Sequence, residues 1–332
     1  MAKKTDGGKV RIAMIGAGGM ANGVHYPSLA SFDDVEIVAI SELREDRAKT
    51  TADKYGIKKT YVGNDEYYKE MLATEKPDGV YVIGQPNIMY PIWNYCVANG
   101  YNLYIEKPFG LSIHQARALA LLAEKSGSIT QCSYQRRIAP IVKKMKDEVT
   151  KRGGEINHAV CTFYKCDINP YLDARDHMFD DSVHAIDTLR WLCGGEVVEV
   201  QSICKRIGVP DINYITALLT FDNGATGVLM NNWASGRRIF SCEMHASGCY
   251  AWVEHEGKAF LYDHGNYEGE CFDTKEVAGS NDNFVFGGFC AKNREFIDAI
   301  KGGPMPGSNF SDAVKTTEVA EIILANALLN GE

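Results

Sequence analysis

The 332-residue sequence predicts an α/β protein, with a doubly wound parallel sheet first and a second domain built on an antiparallel or mixed sheet. Three observations lead there. Up to residue 133, short β-branched runs alternate with longer stretches of helical apolar spacing, the pattern of a parallel sheet with crossover helices. After about Arg137, strand-like segments follow one another with no helix between them. Domains of about 150 residues make two the expected number of pieces.

Val10 to Ile15, Glu36 to Ile40, Gly79 to Ile83, Asn102 to Ile105 and Ser128 to Cys132 read as strands buried on both faces. Met20 to Ser31, Arg44 to Tyr55, Asn64 to Thr74, Met89 to Ala98 and Ser112 to Lys125 carry apolar residues at helical spacing, and Gly127 stands where a helix C-terminal glycine belongs. In the second domain a helix is expected over Asp180 to Leu192. Strands follow at Val197 to Cys204, Tyr214 to Phe221, Thr226 to Asn232, Phe240 to Ala246 and Ala251 to Glu254, joined by turns such as Asp222-Asn223-Gly224. Two helices, Phe289 to Ile300 and Ser311 to Leu329, close the chain on either side of Gly302-Gly303-Pro304. The domain boundary is placed between residues 133 and 134, with 134–332 forming the second domain.

Lys plus Arg number 35 against 43 Asp plus Glu, and the net charge of −8 argues against a nucleic-acid partner. No apolar run approaches the ~18 residues that cross a bilayer, and no signal-peptide pattern follows the basic N-terminus, so a cytoplasmic protein without a membrane partner is expected. The ten cysteines show no CxxC pair and no zinc spacing, which reads as reduced, packed thiols.

The first strand runs into Gly16-Ala17-Gly18-Gly19-Met20-Ala21, a G-x-G-x-x-A loop that opens a helix. Gly16 makes the tight turn, Gly18 lets backbone approach a pyrophosphate, and the small Ala21 permits close helix packing. Glu42 ends the second strand 21 residues beyond Ala21, where a carboxylate accepts from ribose hydroxyls and repels a 2′-phosphate. NAD is therefore favoured over NADP, with Arg44 the residue that would argue the other way.

Lys107 follows Tyr104-Ile105-Glu106 at the C-terminal end of a strand, the edge where open α/β sheets bind ligands; an exposed loop lysine is the alternative. Asp180 and His184 stand four apart on one helix, and a carboxylate beside an imidazole suits a general base. A helix cap and a core histidine would look the same. His177, Asp180, His184 and Asp187 also form a stripe of metal-ligand types, but ligands two turns apart seldom converge on one ion, so no metal is expected and Asp187 reads as a structural partner.

Taken in order, GAGGMA, the acid ending strand two, GQPN at 84–87, IEKP at 105–108, D-x-x-x-H followed by H-x-x-D, EMHASGCYAWVE and REFIDAIKGG resemble the glucose-fructose oxidoreductase and inositol dehydrogenase family, Gfo/Idh/MocA. The resemblance runs from Val10 to about Leu329. It implies an N-terminal Rossmann dinucleotide-binding domain and a C-terminal α/β domain on a large, mainly antiparallel open sheet, which commonly builds homodimers or homotetramers. It also implies an oxidoreductase acting on a hydroxyl or carbonyl of a sugar, cyclitol or related polyol.

Carried over by position, the family's catalytic residues fall on Lys107, Asp180 and His184. The implied cofactor set is Gly16, Gly18, Gly19, Met20, Ala21, Glu42, Arg44, Gln85, Pro86, Asn87, Glu106 and Lys107. The implied substrate set is Lys107, Gln135, Arg136, Tyr164, Asp180 and His184. In the oxidation direction His184 would remove the hydroxyl proton, Asp180 would orient it, and Lys107 would hydrogen-bond the reacting oxygen. Two other readings are a glycoside-processing enzyme that uses NAD transiently and a dinucleotide-bound sugar sensor without turnover.

Departures from the family pattern bear on the substrate. Ser182 replaces a glycine, Asp181 adds a second acid, Tyr90 replaces a histidine, and Gln135 stands before Arg136 and Arg137 in place of an asparagine. Lys165, Asp167, Asn169, Tyr171, Arg175 and Asp176 would suit a hydroxyl-rich ligand.

Overall fold

The structure is a computed structural model, and it describes residues 8–166 and 176–329. The chain divides into two compact units, Met1–Ser133 with Phe289–Val314, and Tyr134–Gly288 with Lys315–Glu332.

The first unit holds a six-stranded, wholly parallel sheet in the order β3-β2-β1-β4-β5-β6. Its strands are β1 (Val10–Ile15), β2 (Val35–Glu42), β3 (Thr60–Val62), β4 (Gly79–Val82), β5 (Leu103–Ile105) and β6 (Thr130–Cys132). Its crossover helices are α1 (Tyr26–Ala30), α2 (Glu45–Tyr55), α3 (Tyr67–Glu75), α4 (Pro86–Ala98) and α5 (Ile113–Ser126). This is the doubly wound order whose switch point lies between β1 and β4.

Strand β3 escaped the sequence reading because its three residues follow two lysines and pair only at the sheet edge. The expected helix Met20 to Ser31 divides into a π-helical turn, Ala21–His25, and α1. Helix α5 keeps its expected ends, with Ser112 Oγ capping Gln115 N–H and Gly127 at φ 68°.

A returning helix, α10 (Phe289–Ile300), belongs to this unit although it lies late in the chain. Phe296 meets the stacked Tyr81 and Tyr104 edge-on, at 5.5 and 5.7 Å between centroids. Gly79 is needed beneath it, since a Cβ there would stand 2.7 Å from Ile300 Cδ1.

The second unit is an eight-stranded sheet in the order β14-β13-β12-β11-β7-β10-β9-β8. Only β7 and β10 pair in parallel. Its strands are β7 (His158–Cys166), β8 (Val197–Lys205), β9 (Tyr214–Phe221), β10 (Thr226–Asn232), β11 (Ala234–Ala246), β12 (Cys249–Glu254), β13 (Lys258–Asp263) and β14 (Glu270–Asp273). Helices α6 (Pro140–Gly153) and α7 (Val183–Cys193) cover one face, and the part of α11 (Phe310–Leu329) beyond Val314 joins them. Short helices α8 (Thr274–Ala278) and α9 (Asn283–Phe286) follow β14.

The sequence reading left α6 and β7 unassigned, and β7 is a central strand. Its alternation of Ala159, Cys161 and Phe163 toward the helices with Val160, Thr162 and Tyr164 away from them is masked, because both rows carry apolar residues. The opposite face of the sheet presents Ile203, Leu218 and Met230, each more than a third exposed.

Candidate functional site

In the first unit the glycine loop leaves β1 at the switch point. Gly16 has φ 100°, and a Cβ there would lie 2.1 Å from Ile83 O, so strand-to-strand closeness admits glycine alone. Above Gly18 and Gly19 a Cβ would meet nothing within 4 Å. The loop backbone is thus open on the side where a helix N-terminus can take a pyrophosphate. Met20 is exposed and Ala21 fully buried.

Glu42 reaches this loop directly. Its Oε2 accepts from Ala17 N–H at 2.8 Å and its Oε1 from Arg44 N–H at 3.1 Å, leaving a lone pair on each oxygen for hydroxyl donors. Arg44 turns to Asp46 instead, donating from Nε at 3.1 Å and Nη2 at 2.6 Å. Burial, and after it the Glu42 charge, pushes the Tyr26 phenol far above its ordinary range, so it stays protonated and donates to Gly16 O at 3.2 Å. Gln85 and Asn87 are exposed at the start of α4, with Pro86 buried at its first position. These residues fit a dinucleotide without a 2′-phosphate.

At the end of β5, Glu106 does not face outward. It is 6% exposed and its Oε1 meets His25 Nε2 at 2.9 Å, while His25 Nδ1 lies 3.2 Å from Asn293 Oδ1 on α10. Lys107 follows, half-buried, with a cis peptide to Pro108. The sequence reading missed His25 and Asn293, for a histidine in a helix and an asparagine 268 residues later carry no shared local signal.

In the second unit the expected helix Asp180 to Leu192 begins instead with a π-helical turn, Met178–Ser182. Asp176 starts it, its Oδ1 accepting from Phe179 N–H at 2.7 Å and its carbonyl from Asp180 N–H at 3.0 Å. Such turns recur at functional sites because they re-aim side chains. His184 is 5% exposed with the Tyr134 ring edge-on at 6.2 Å, and Asp180 is half-buried.

The other acids of this helix are held elsewhere. Arg137 Nη1 donates to Asp187 Oδ1 at 3.0 Å, both side chains buried, so Asp187 is a structural partner. Asp181 Oδ2 accepts from Trp233 Nε1 at 2.9 Å and from Lys165 Nζ. His177 Nδ1 pairs with Asp211 Oδ2. Two residues of the metal-ligand stripe, His177 and Asp187, are thus paired with separate partners, and among the described residues no group of three or more His, Cys, Asp or Glu is placed to hold an ion.

Of the remaining substrate candidates, Gln135 is buried with its Oε1 unpartnered among the described residues, and Arg136 lies over Phe240 and Phe163. Tyr164 projects from the other face of the sheet, where it lines a depression of about 720 Å³ with Met230 and Trp252. The strand's alternation puts Lys165, not Tyr164, on the side of α7. Asp167, Asn169, Tyr171 and Arg175 lie outside the described residues.

Two family descriptions match the chain: "Oxidoreductase family, NAD-binding Rossmann fold" over residues 10–134 and "GFO/IDH/MocA C-terminal domain" over residues 153–249. The chain belongs to the Gfo/Idh/MocA oxidoreductase family. Its first unit is this family's NAD-binding domain. Among curated relatives, myo-inositol 2-dehydrogenase of Thermotoga maritima is 27% identical over 67% of this chain and 68% of its own. The scyllo-inositol 2-dehydrogenase (NAD(+)) of Bacillus subtilis is 23% identical over 97% and 95%. A dehydrogenase from Chromobacterium violaceum has the same fold, with a TM-score of 0.86 at 19% identity over 98% and 97% of the two chains.

Proposed function

We propose that this Gfo/Idh/MocA oxidoreductase moves a hydride between NAD and a CH–OH carbon of a sugar, cyclitol or related polyol. The observation that carries the reading is the Glu42 carboxylate on the Ala17 amide, which joins the acid of β2 to the glycine loop, while the neighbouring base Arg44 is turned to Asp46. The cyclitol dehydrogenases among the relatives support the substrate class.

NAD supplies the hydride acceptor. The chain's own residues do the rest: His184 takes the proton of the reacting hydroxyl, Asp180 orients and charge-balances His184, and Lys107 hydrogen-bonds the reacting oxygen. Glu106 acts through its neighbour Lys107, because its carboxylate is committed to His25.

The test is NAD reduction across a panel of sugars and cyclitols by the wild type and by His184→Ala and Lys107→Met. Loss of the base should lower kcat by about two to four orders of magnitude while NAD affinity stays nearly constant. Full activity in His184→Ala would remove the assignment. Reduced NAD accumulating in proportion to product separates a dehydrogenase from an enzyme that only borrows the hydride.

The face of the second sheet on which Ile203, Leu218 and Met230 are exposed is the surface through which the protein self-associates as a homodimer or homotetramer. Sedimentation of wild type against Leu218→Lys reads this directly, and an unchanged mass would count against it. A small-molecule substrate and a cytoplasmic setting complete the reading; the ten cysteines are free thiols and no described helix is long and apolar enough to cross a membrane.

A further inference from the structure

Phe163, on β7, collects three cations around its ring. The guanidinium of Arg136 lies 5.1 Å from its centroid, Lys165 Nζ 5.0 Å and the Arg238 guanidinium 5.8 Å. Two of them have carboxylate partners, Lys165 in Asp181 and Arg238 in Glu256. Among the described residues no carboxylate pairs with Arg136, and its Nε is buried with no acceptor. Arg136 is instead stacked on Phe240 at 4.3 Å.

Burial, and after it the Arg238 charge, brings the Arg136 guanidinium down to about 10, still cationic at neutral pH. Beside it, His255 is 3% exposed and its Nε2 has no partner among the described residues. Burial, then Arg136 and Arg238, hold that imidazole well below its ordinary range, so it is neutral and offers one N–H. Stacking on two rings recovers part of the cost of an unpaired, half-buried guanidinium, but not its hydrogen bonds.

We infer that Arg136, with His255 beside it, forms a subsite for a carboxylate carried by the substrate, so that the enzyme acts on a sugar acid in preference to a neutral sugar. Among the described residues, three cations set against two carboxylates leave a single positive charge, which one carboxylate neutralises and a phosphate dianion would overshoot. The planar fork of a guanidinium also matches the geometry of a carboxylate. This inference rests on the dehydrogenase reading and narrows its substrate class.

The experiment measures kcat/KM for NAD reduction with matched pairs, D-glucuronate against D-glucose and D-galacturonate against D-galactose, with glucose 6-phosphate as a third arm. The acid member should exceed its neutral partner by about tenfold or more, chiefly through KM. Arg136→Gln should bring the ratio close to one, and Arg136→Lys should keep a preference. Neutral sugars turned over equally well, an acid preference that survives Arg136→Gln, or preference for the phosphate would each overturn the inference. If Arg136→Gln does not fold, the wild-type ratio and Arg136→Lys decide. If no sugar reduces NAD, the dehydrogenase reading fails, and calorimetry of glucuronate against glucose on the NAD-loaded protein still judges the subsite: tighter glucuronate supports it, equal binding ends it.

Discussion

His25 Nε2 and Glu106 Oε1 lie 2.9 Å apart, in a part of the first unit where His25 is wholly buried and Glu106 nearly so. The contact ties the turn after the glycine loop to the residue that precedes Lys107. Removing one member of a buried pair leaves the other without compensation, which costs about 3–5 kcal/mol. His25→Ala should therefore lower the urea midpoint strongly, and adding Glu106→Gln should restore part of the loss. A double variant no better than the single one would show that the charge on Glu106 is not what the imidazole offsets.

Gly16 and Gly18 should behave differently although both belong to one motif. Gly16→Ala forces a Cβ to 2.1 Å from Ile83 O at a φ that only glycine tolerates well, so it should destabilise the fold by about 2 kcal/mol or more. Gly18→Ala has open space and should melt near the wild type, yet bind NAD about tenfold more weakly, because this glycine of the motif lets the backbone approach the pyrophosphate and a methyl would hold it off. Thermal melts with and without NAD distinguish the two.

Arg44 is held by Asp46, and both side chains are exposed. Asp46→Ser should free the guanidinium for a 2′-phosphate, and combined with Glu42→Ser it should shift the NADP-to-NAD ratio of kcat/KM upward by about tenfold or more. If the ratio does not move, Arg44 is too far from the ribose to matter.

Lys146 donates to Trp191 O and lies 3.9 Å from the Trp191 ring, where burial first and Arg137 second bring its ammonium down to about 8. The unfolded chain holds this proton up to the ordinary lysine range near 10.5, so between pH 8 and 10.5 the unfolded state binds more protons and stability rises with pH. The cost is fully present below pH 8 and is gone above the unfolded value. Relative to Lys146→Met, the wild type should gain about 1–2 kcal/mol from pH 7 to 10 in urea melts. Parallel curves for the two proteins would contradict the assignment.

Much of the first unit was legible because its signals are local. The alternation of strands and helices, the glycine loop and Glu42 at the end of β2 each follow from a few adjacent residues whose conformation the backbone itself constrains. The second sheet was legible where turns such as Asp222-Asn223-Gly224 mark strand ends. It was not legible at β7, where apolar residues on both faces hide the period of two.

What the sequence determined by itself was the class of fold, the nucleotide loop and the residue types available for proton transfer. What only the tertiary structure decided was which of those groups are committed elsewhere: Glu106 to His25, Asp187 to Arg137, Asp181 to Lys165 and Trp233, and Arg136 to no carboxylate among the described residues. Charge pairing is settled by distances of a few ångströms between residues tens to hundreds of positions apart, and desolvation makes each such choice costly to reverse. A linear sequence names the ions, and packing determines their partners.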